Sequence, residues 1–172
     1  MTDKPDLHED DLHIIEPIAL HHDRESFDCG SIPLNDFLQK RALNSMLGST
    51  YVLVSHAGSP EIIAYFTWAP DAIAYLKDNA GSILSGSVKL EYLAVNKKFQ
   101  GSGIGTDLLV FIMRQVGEFS RISPTIKLFV LEPLDSVARR WFINRNFGFE
   151  TMYLPDRCLA IAVETILDMD KS

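Results

Sequence analysis

Residues 96–117 read "NKKFQGSGIGTDLLVFIMRQVG", with glycines at three alternate positions, 101, 103 and 105. The apolar stretch "VKLEYLAV" precedes them at 88–95 and has the composition of a strand. A helical pattern follows at once, with apolar side chains at Leu108, Leu109, Ile112, Met113 and Val116. The stretch therefore predicts a strand, a glycine turn and the N-terminus of a helix, in that order.

A turn of this kind favours the binding of an anion. Glycines allow positive φ and close approach of a ligand to the backbone. The first N–H groups of a helix lack intrahelical partners and carry the positive end of its dipole, so we expect a phosphorylated cofactor. The dinucleotide fingerprint would need Gly or Ala where Thr106 stands, and the nucleotide P-loop would need a lysine that the turn lacks. A tight connection that binds no ligand remains the alternative.

Length and composition indicate a single globular domain. The chain has 172 residues, of which 47% are hydrophobic and 23% charged. No apolar run approaches the roughly 20 residues of a membrane helix, and the N-terminus does not resemble a signal peptide. We therefore expect a cytoplasmic protein without a membrane partner. The two cysteines, Cys29 and Cys158, show neither a disulfide framework nor metal spacing, and the five histidines show no ligand grouping, so no metal is predicted.

Negative charge is concentrated at the N-terminus. The net charge is -7, and residues 1–16 hold six acidic residues and one lysine, which leaves 17 acidic and 15 basic residues in the rest. We predict an acidic arm over residues 1–12 and one domain over 13–168. A local basic face remains compatible with this balance, although a solvated helix surface is the alternative for each cationic cluster.

The remaining patterns predict alternating hairpins and strand–helix–strand crossovers. The predicted elements are a strand over 12–20, a helix that Ser31 caps, a hairpin around Gly58, a loop with a short helix over 70–87, a strand over 125–133, a helix over 135–145 and closing strands over 147–154 and 159–167. This order predicts an α/β or α+β domain of three layers.

The sequence "LAVNKKFQGSGIGTDLL" resembles motif A of the GNAT superfamily of N-acetyltransferases, which reads Q/R-x-x-G-x-G/A after a strand. Gln100, Gly103 and Gly105 occupy its fixed positions. The resemblance implies the GNAT acyl-CoA N-acyltransferase fold, a central mixed, mostly antiparallel sheet flanked by helices. It also implies acetyl-CoA as cofactor, with its pyrophosphate in the turn and its pantetheine along the strand. The cofactor-binding residues would be Leu93, Ala94, Val95, Gln100, Gly101, Ser102, Gly103, Ile104, Gly105 and Thr106.

A second stretch narrows the resemblance. "FDCGSIPLNDFL", residues 27–38, resembles a signature of the acetyltransferase toxins of type II toxin–antitoxin systems, and "DSVARRWFINRNFGFE" resembles their late helix and following strand. Such a toxin acetylates the α-amine of aminoacyl-tRNA and thereby blocks translation. The implied partners are the charged tRNA, a ribbon-helix-helix antitoxin and a second copy in a homodimer. Contact with tRNA phosphates would rest on Lys40, Arg41, Arg139, Arg140 and Arg145.

The family's general acid is a tyrosine on the late helix, and this chain has no hydroxyl there. Ala138 and Trp141 align that position with Phe142, while counting back from "FGF" leads to Ile143 or Asn144. Phenylalanine keeps the ring without the proton, which indicates either a weakened enzyme or an inactivated Tyr-to-Phe variant. Tyr92 and Tyr153 are the other candidate acids.

Glu91 is a candidate general base acting through water. Strand alternation would place its side chain on the same side as Leu93 and Val95. A charged residue without a catalytic role is the alternative for Glu91. For the whole chain, the alternatives are an acetyltransferase for a small amine or a protein N-terminus, and a catalytically dead regulator that binds acyl-CoA.

Overall fold

The computed structural model describes residues 13–76, 82–151, 157–169 and 171. The predicted acidic arm and Tyr153 lie outside these ranges. Seven strands form one sheet in the order β1-β2-β3-β4-β5-β7-β6. The strands are β1 Ile14–Pro17, β2 Ser49–Val54, β3 Ala64–Leu76, β4 Ser82–Val95, β5 Ile126–Leu131, β6 Glu150–Thr151 and β7 Leu159–Ala162. The helices are α1 Ile32–Lys40, α2 Ile104–Ile122, α3 Ser136–Ile143 and α4 Val163–Met169.

Only β4 and β5 pair in parallel, and the other neighbouring strands are antiparallel. This mixed sheet between helices confirms the predicted fold class. On one face of the sheet, the buried apolar side chains of α2 pack with Phe66, Val88 and Phe129 in the larger core. On the other face, Phe37 and Leu38 of α1 pack with Val52 and Tyr65. Within the described ranges, no helix is both long and apolar enough to span a membrane.

The segment 70–87 differs from the prediction of a loop with a short helix. Its described residues extend β3 and β4 into a long hairpin that pairs from Ala64–Val95 to Leu76–Ser82. Pro70 suggested a loop, but β2 pairs with β3 only as far as Trp68. Beyond that point β3 is an edge strand on that side, where a proline costs no ladder hydrogen bond.

The closing segment also differs in part. The strand predicted over 159–167 ends at Ala162, and Val163–Met169 form α4. β7 lies inside the sheet between β5 and β6, so the two-residue β6 forms that border of the described sheet. Val163 and Ile166 of α4 are buried three positions apart, a spacing that fits one face of a helix and not the alternation of a strand.

Gly86 is required where β4 meets the start of β5. The parallel register shifts between Gly86 and Ser87, and a methyl group at Gly86 would stand 2.6 Å from the carbonyl oxygen of Thr125. Because the carbonyl group of Thr125 is backbone and cannot rotate away, a side chain at Gly86 would force the two strands apart.

We therefore expect Gly86→Ala to lower the free energy of unfolding by about 1–3 kcal/mol through this clash. Urea denaturation monitored by circular dichroism measures the change. Leu84→Ala is the control on the same strand, since Leu84 is 74% exposed and its loss should change stability by less than about 0.5 kcal/mol. Equal stability of the two variants would contradict the close approach.

Candidate active site

Strands β4 and β5 separate halfway along β4. Their pairing ends at Leu90–Leu131, where β5 stops, while β4 continues to Val95. On its other side β4 remains paired with β3 up to Val95–Ala64. Within the described ranges, residues 91–95 therefore present an edge with no neighbouring strand, and its backbone groups before the carbonyl of Val95 can pair with an extended ligand.

A cleft of about 720 Å³ opens where the strands separate. Its walls are the β4 residues Lys89 to Tyr92, the segment from Glu132 to Ser136, and the two arginines Arg139 and Arg157. Both charge signs are present, so the cleft suits a polar substrate.

The glycine turn connects the open edge to α2. Gly101 and Gly103 have φ of +79° and +93°, and a methyl group built on either would meet nothing within 4 Å. Gly103 is the N-cap of α2, a helix of 19 residues. The turn thus has open space above the amide groups at the positive end of a long helix, which makes it a candidate anion site. Ser102 does not point its proton at that space, because its hydroxyl donates to the carbonyl of Phe99 at 2.6 Å.

Gln100 acts within the protein. Its Nε2 group donates to the carbonyl of Val95 at 2.8 Å and to that of Cys29 at 3.0 Å. A side-chain amide has two N–H donors, and both are used here. The predicted cofactor residue Gln100 therefore fixes the turn to the end of β4, and its amide nitrogen has no proton left for a ligand.

Trp141 closes the space between the start of α2 and α3. A methyl group at Gly105 would lie 3.5 Å from Cζ2 of Trp141 and 3.5 Å from Cγ2 of Val95. The guanidinium of Arg145 lies over the Trp141 ring, 4.7 Å from its centroid. Sequence reasoning used Trp141 only for alignment and missed this contact. The missed signal is the spacing of Trp141 and Arg145, four positions apart, although Arg145 lies two residues past the end of α3.

Glu91 lies in a β-bulge. β3 pairs Thr67 with Tyr92 and Trp68 with Leu90, which leaves Glu91 without a partner. Beyond the bulge, Leu93 and Val95 pack against the core under α2, whereas Glu91 forms an ion pair with Lys89 at 3.1 Å in the cleft. The prediction that Glu91 shares a face with Leu93 and Val95 is therefore wrong, because the extra residue shifts the alternation by one.

The bulge brings Glu91 and Tyr92 to the same cleft, where Lys89 stays charged. Burial alone would lower the pKa of Lys89, but the hydrogen bond and charge of Glu91, with the charge of Glu132, raise that pKa overall. Tyr92 stacks on Phe37 with ring centroids 3.8 Å apart. The cleft thus holds a carboxylate, a phenol and an ammonium group next to the open edge.

Phe142 is part of the core. It is 9% exposed and packs edge-on against Trp141 and Phe149, with ring centroids 4.9 and 6.0 Å away. It is not among the residues that line the cleft. The side chain has no proton to donate, so the described site residues offer Tyr92 as the phenol nearest the open edge.

The predicted tRNA-contacting cations lie in different environments. Arg139 lines the cleft and donates to the carbonyl of Arg157 and the hydroxyl of Thr151, whereas Arg140 is exposed. Arg41 lies over Phe37, 5.4 Å from its centroid, and Lys40 forms an ion pair with Asp36 at 2.8 Å. Arg145 stacks on Trp141 instead, so Arg139 and Arg145 of the "ARRWFINR" cluster have different contacts.

The structure brings together a group of possible metal ligands that the sequence pattern did not predict. Glu16, His21 and His22 have ligand atoms within 4.8 Å of one another. The amide of Ala19 donates to Nδ1 of His22 at 2.8 Å, so the proton of the neutral ring is on Nε2, which bonds to Glu16 at 2.8 Å. That hydrogen bond lowers the pKa of Glu16. The arrangement is a satisfied hydrogen-bond network, since His22 has no free lone pair for an ion.

No protein-family model matches the chain. Solved structures of similar fold include a tyrosine-to-phenylalanine mutant of KacT, with a TM-score of 0.80, 26% identity, and coverage of 91% of this chain and 98% of that chain. A tyrosine-to-phenylalanine mutant of the toxin AtaT, bound to the C-terminus of the antitoxin AtaR and acetyl-CoA, has a TM-score of 0.79 and 23% identity. The match covers 93% of this chain and 99% of that chain. AtaT complexed with acetyl-methionyl-tRNAfMet has a TM-score of 0.80 and 21% identity, and the match covers 92% of this chain and 99% of that chain.

We expect Gly101→Ala to weaken acetyl-CoA binding by about tenfold or more, because the methyl group intrudes on the anion and strains the amides that face it. Isothermal titration calorimetry measures the dissociation constant. Gly58→Ala is the matched control, since Gly58 has φ of +74° and the same open surroundings far along the chain from this turn. In both variants the alanine has to adopt a left-handed backbone conformation, which should lower the free energy of unfolding by about 1–2 kcal/mol. Equal affinities of the two variants for acetyl-CoA would contradict a cofactor site at the glycine turn.

Proposed function

Since the chain has the fold of the GNAT acetyltransferase toxins of type II toxin–antitoxin systems, we propose that it is an acetyl-CoA-dependent N-acetyltransferase. We further propose that its substrate is the α-amine of aminoacyl-tRNA in the bacterial cytoplasm. The observation that carries the proposal is the continuity of the open β4 edge with the glycine turn at the start of α2. An extended chain that ends in a diphosphate fits this path, because strand edge and helix N-terminus supply its two kinds of partner.

The residues present fit coenzyme A. The amides around Gly103 to Gly105 would hold the diphosphate, and the open edge from Glu91 to Val95 would pair with the pantetheine amides. Coenzyme A, when bound, supplies an acetyl group activated as a thioester. Trp141 closes one side of the path and excludes water there.

Proton transfer at the cleft has two candidate residues. The carboxylate of Glu91, held by Lys89, can accept a proton from the attacking amine through water. The hydroxyl of Tyr92, on the same side of the bulge, can donate a proton to the departing sulfur. Because a thiol with an ordinary pKa near 8.5 leaves without much help, weak activity is compatible with Phe142.

The same comparison supports tRNA and an antitoxin as partners. AtaT was solved with acetyl-methionyl-tRNAfMet and with the C-terminus of an antitoxin. We propose charged tRNA as substrate here, with a ribbon-helix-helix antitoxin and a homodimer as the assembly. Arg139 and Arg157 supply cations that can contact a phosphate of such a substrate, beside carboxylates that can contact its amine.

Phe142 favours a second candidate function, a regulator that binds acyl-CoA without turning it over. Its buried ring leaves the family's acid position without a proton. The two functions separate in one assay, in which radiolabelled acetyl-CoA is incubated with total charged tRNA and the parent protein. Label on tRNA supports the enzyme, and coenzyme A binding without label supports the regulator.

If position 142 holds the general acid, as the resemblance implies, Phe142→Tyr should raise the rate of acetyl transfer by about 10²–10⁴, the usual contribution of such a group. The labelled assay measures it, with Phe149→Tyr as the control on the neighbouring ring of the same cluster. A rise below about threefold would show that position 142 is not the general acid. If Tyr92→Phe also loses the remaining activity, Tyr92 is the general acid. A hydroxyl forced into the core at position 142 should also cost about 1–3 kcal/mol of stability.

Arg140→Glu should weaken binding of charged tRNA and lower the slope of log affinity against log salt by about one, because one phosphate contact is lost. Arg140 is exposed. Filter binding at several salt concentrations measures both quantities. Arg121→Glu is the control, since Arg121 lies 18 residues after Gly103 near the other end of α2, about 27 Å away. Equal effects of the two changes would remove the α3 surface from the tRNA site.

A further inference from the structure

The stretch 27–38 contains two kinds of position. Phe27, Phe37 and Leu38 are buried in the core under α1, and packing explains them. Asp28 and Gly30 are exposed and Asn35 is half-buried, so packing does not explain these three. Their polar contacts form a network within the loop, and Asp28 links that network to Lys97 in the segment between β4 and the glycine turn.

Asp28 joins the loop before α1 to Lys97. Its Oδ1 accepts from the amide of Gly30 at 2.8 Å and from Nδ2 of Asn35 at 2.8 Å, while its Oδ2 pairs with Nζ of Lys97 at 2.9 Å. The backbone amide of Lys97 also donates to the carbonyl of Asp28 at 2.8 Å. These contacts lower the pKa of Asp28 to about 2, so the carboxylate is charged throughout the neutral range.

The backbone conformation of Gly30 favours glycine, because its φ is +88°. A methyl group there would also lie 3.0 Å from Cε of Lys97, near the end of a flexible side chain that can move aside. Gly30 therefore shapes the loop that brings Asp28 to Lys97.

Asn35 joins the loop to Gln100. Its Oδ1 accepts from the amide of Cys29 at 2.9 Å, which holds the Cys29 peptide in place. The carbonyl of Cys29 then accepts from Gln100, whose amide group also donates to Val95. Val95 ends the open β4 edge, and Gln100 precedes the first glycine of the turn. The bridge thus fixes the position of the open edge relative to the turn.

We propose that Asp28 and Asn35 are positioning residues, which hold the open β4 edge and the glycine turn in the relative arrangement that binds a phosphorylated pantetheine cofactor. They act through Lys97, Cys29 and Gln100 and do not touch the ligand. The inference rests on the proposed function, since it takes the turn as the coenzyme A site. It assigns a role to polar positions that neither the fold nor the chemistry explains.

Calorimetric titration with coenzyme A tests the inference on the full chain. Asn35→Ala should weaken binding by about tenfold, because the turn then becomes ordered only when the ligand binds. Asp28→Asn, which keeps the shape but loses the charge that pairs with Lys97, should weaken it by a smaller factor and serves if Asn35→Ala does not fold. Asp36→Asn is the matched control on α1, since it breaks only the surface pair with Lys40 and should bind like the parent.

A double-mutant cycle separates positioning from general destabilisation. If Asn35 acts through Gln100, the loss of affinity in Asn35→Ala with Gln100→Ala should equal that of the larger single change. Additive losses, or parent-like affinity in both Asn35→Ala and Asp28→Asn, would overturn the inference alone. A parent protein that does not bind coenzyme A would overturn the proposed function and this inference with it.

Discussion

The separation of β4 from β5 after the Leu90–Leu131 pair is the constraint on which the site depends. A sheet is stabilised by pairing its backbone groups, yet the described part of the chain places no second strand beside residues 91–95, and the carbonyl of Val95 bonds to the side chain of Gln100 instead. The bulge at Glu91 comes directly after the last pair, so the strand changes direction and side-chain alternation where its neighbour ends. Edge, cleft and the orientation of Glu91 and Tyr92 all follow from this one irregularity.

Helix α3 divides the space beside that edge into two parts. Trp141, with Arg145 stacked on it, contacts Gly105 near the anion site. Arg139 points to the cleft, where the acceptor would bind. A protein with a net charge of -7 can thus present cations locally, because electrostatic attraction over a few ångströms depends on nearby groups more than on the total.

The buried position of Phe142 links stability and chemistry. Its ring packs against Trp141 and Phe149, and its side chain is not part of the cleft lining. A hydroxyl added to this ring would have to be accommodated inside the core, so an exchange of phenylalanine for tyrosine changes packing as well as chemistry.

The sequence alone determined the glycine turn, the helix after it and the mixed sheet between helices, because local periodicity and the need for positive φ at Gly101 and Gly103 are properties of neighbouring residues. It did not determine the extended hairpin through Pro70, since only the absence of β2 beside that proline makes it tolerable. Nor did it determine the side of Glu91, which a bulge against β3 decides, or the bridge from Asn35 to Gln100. Each of these depends on a partner far away in the chain, and only the tertiary structure brings such partners together.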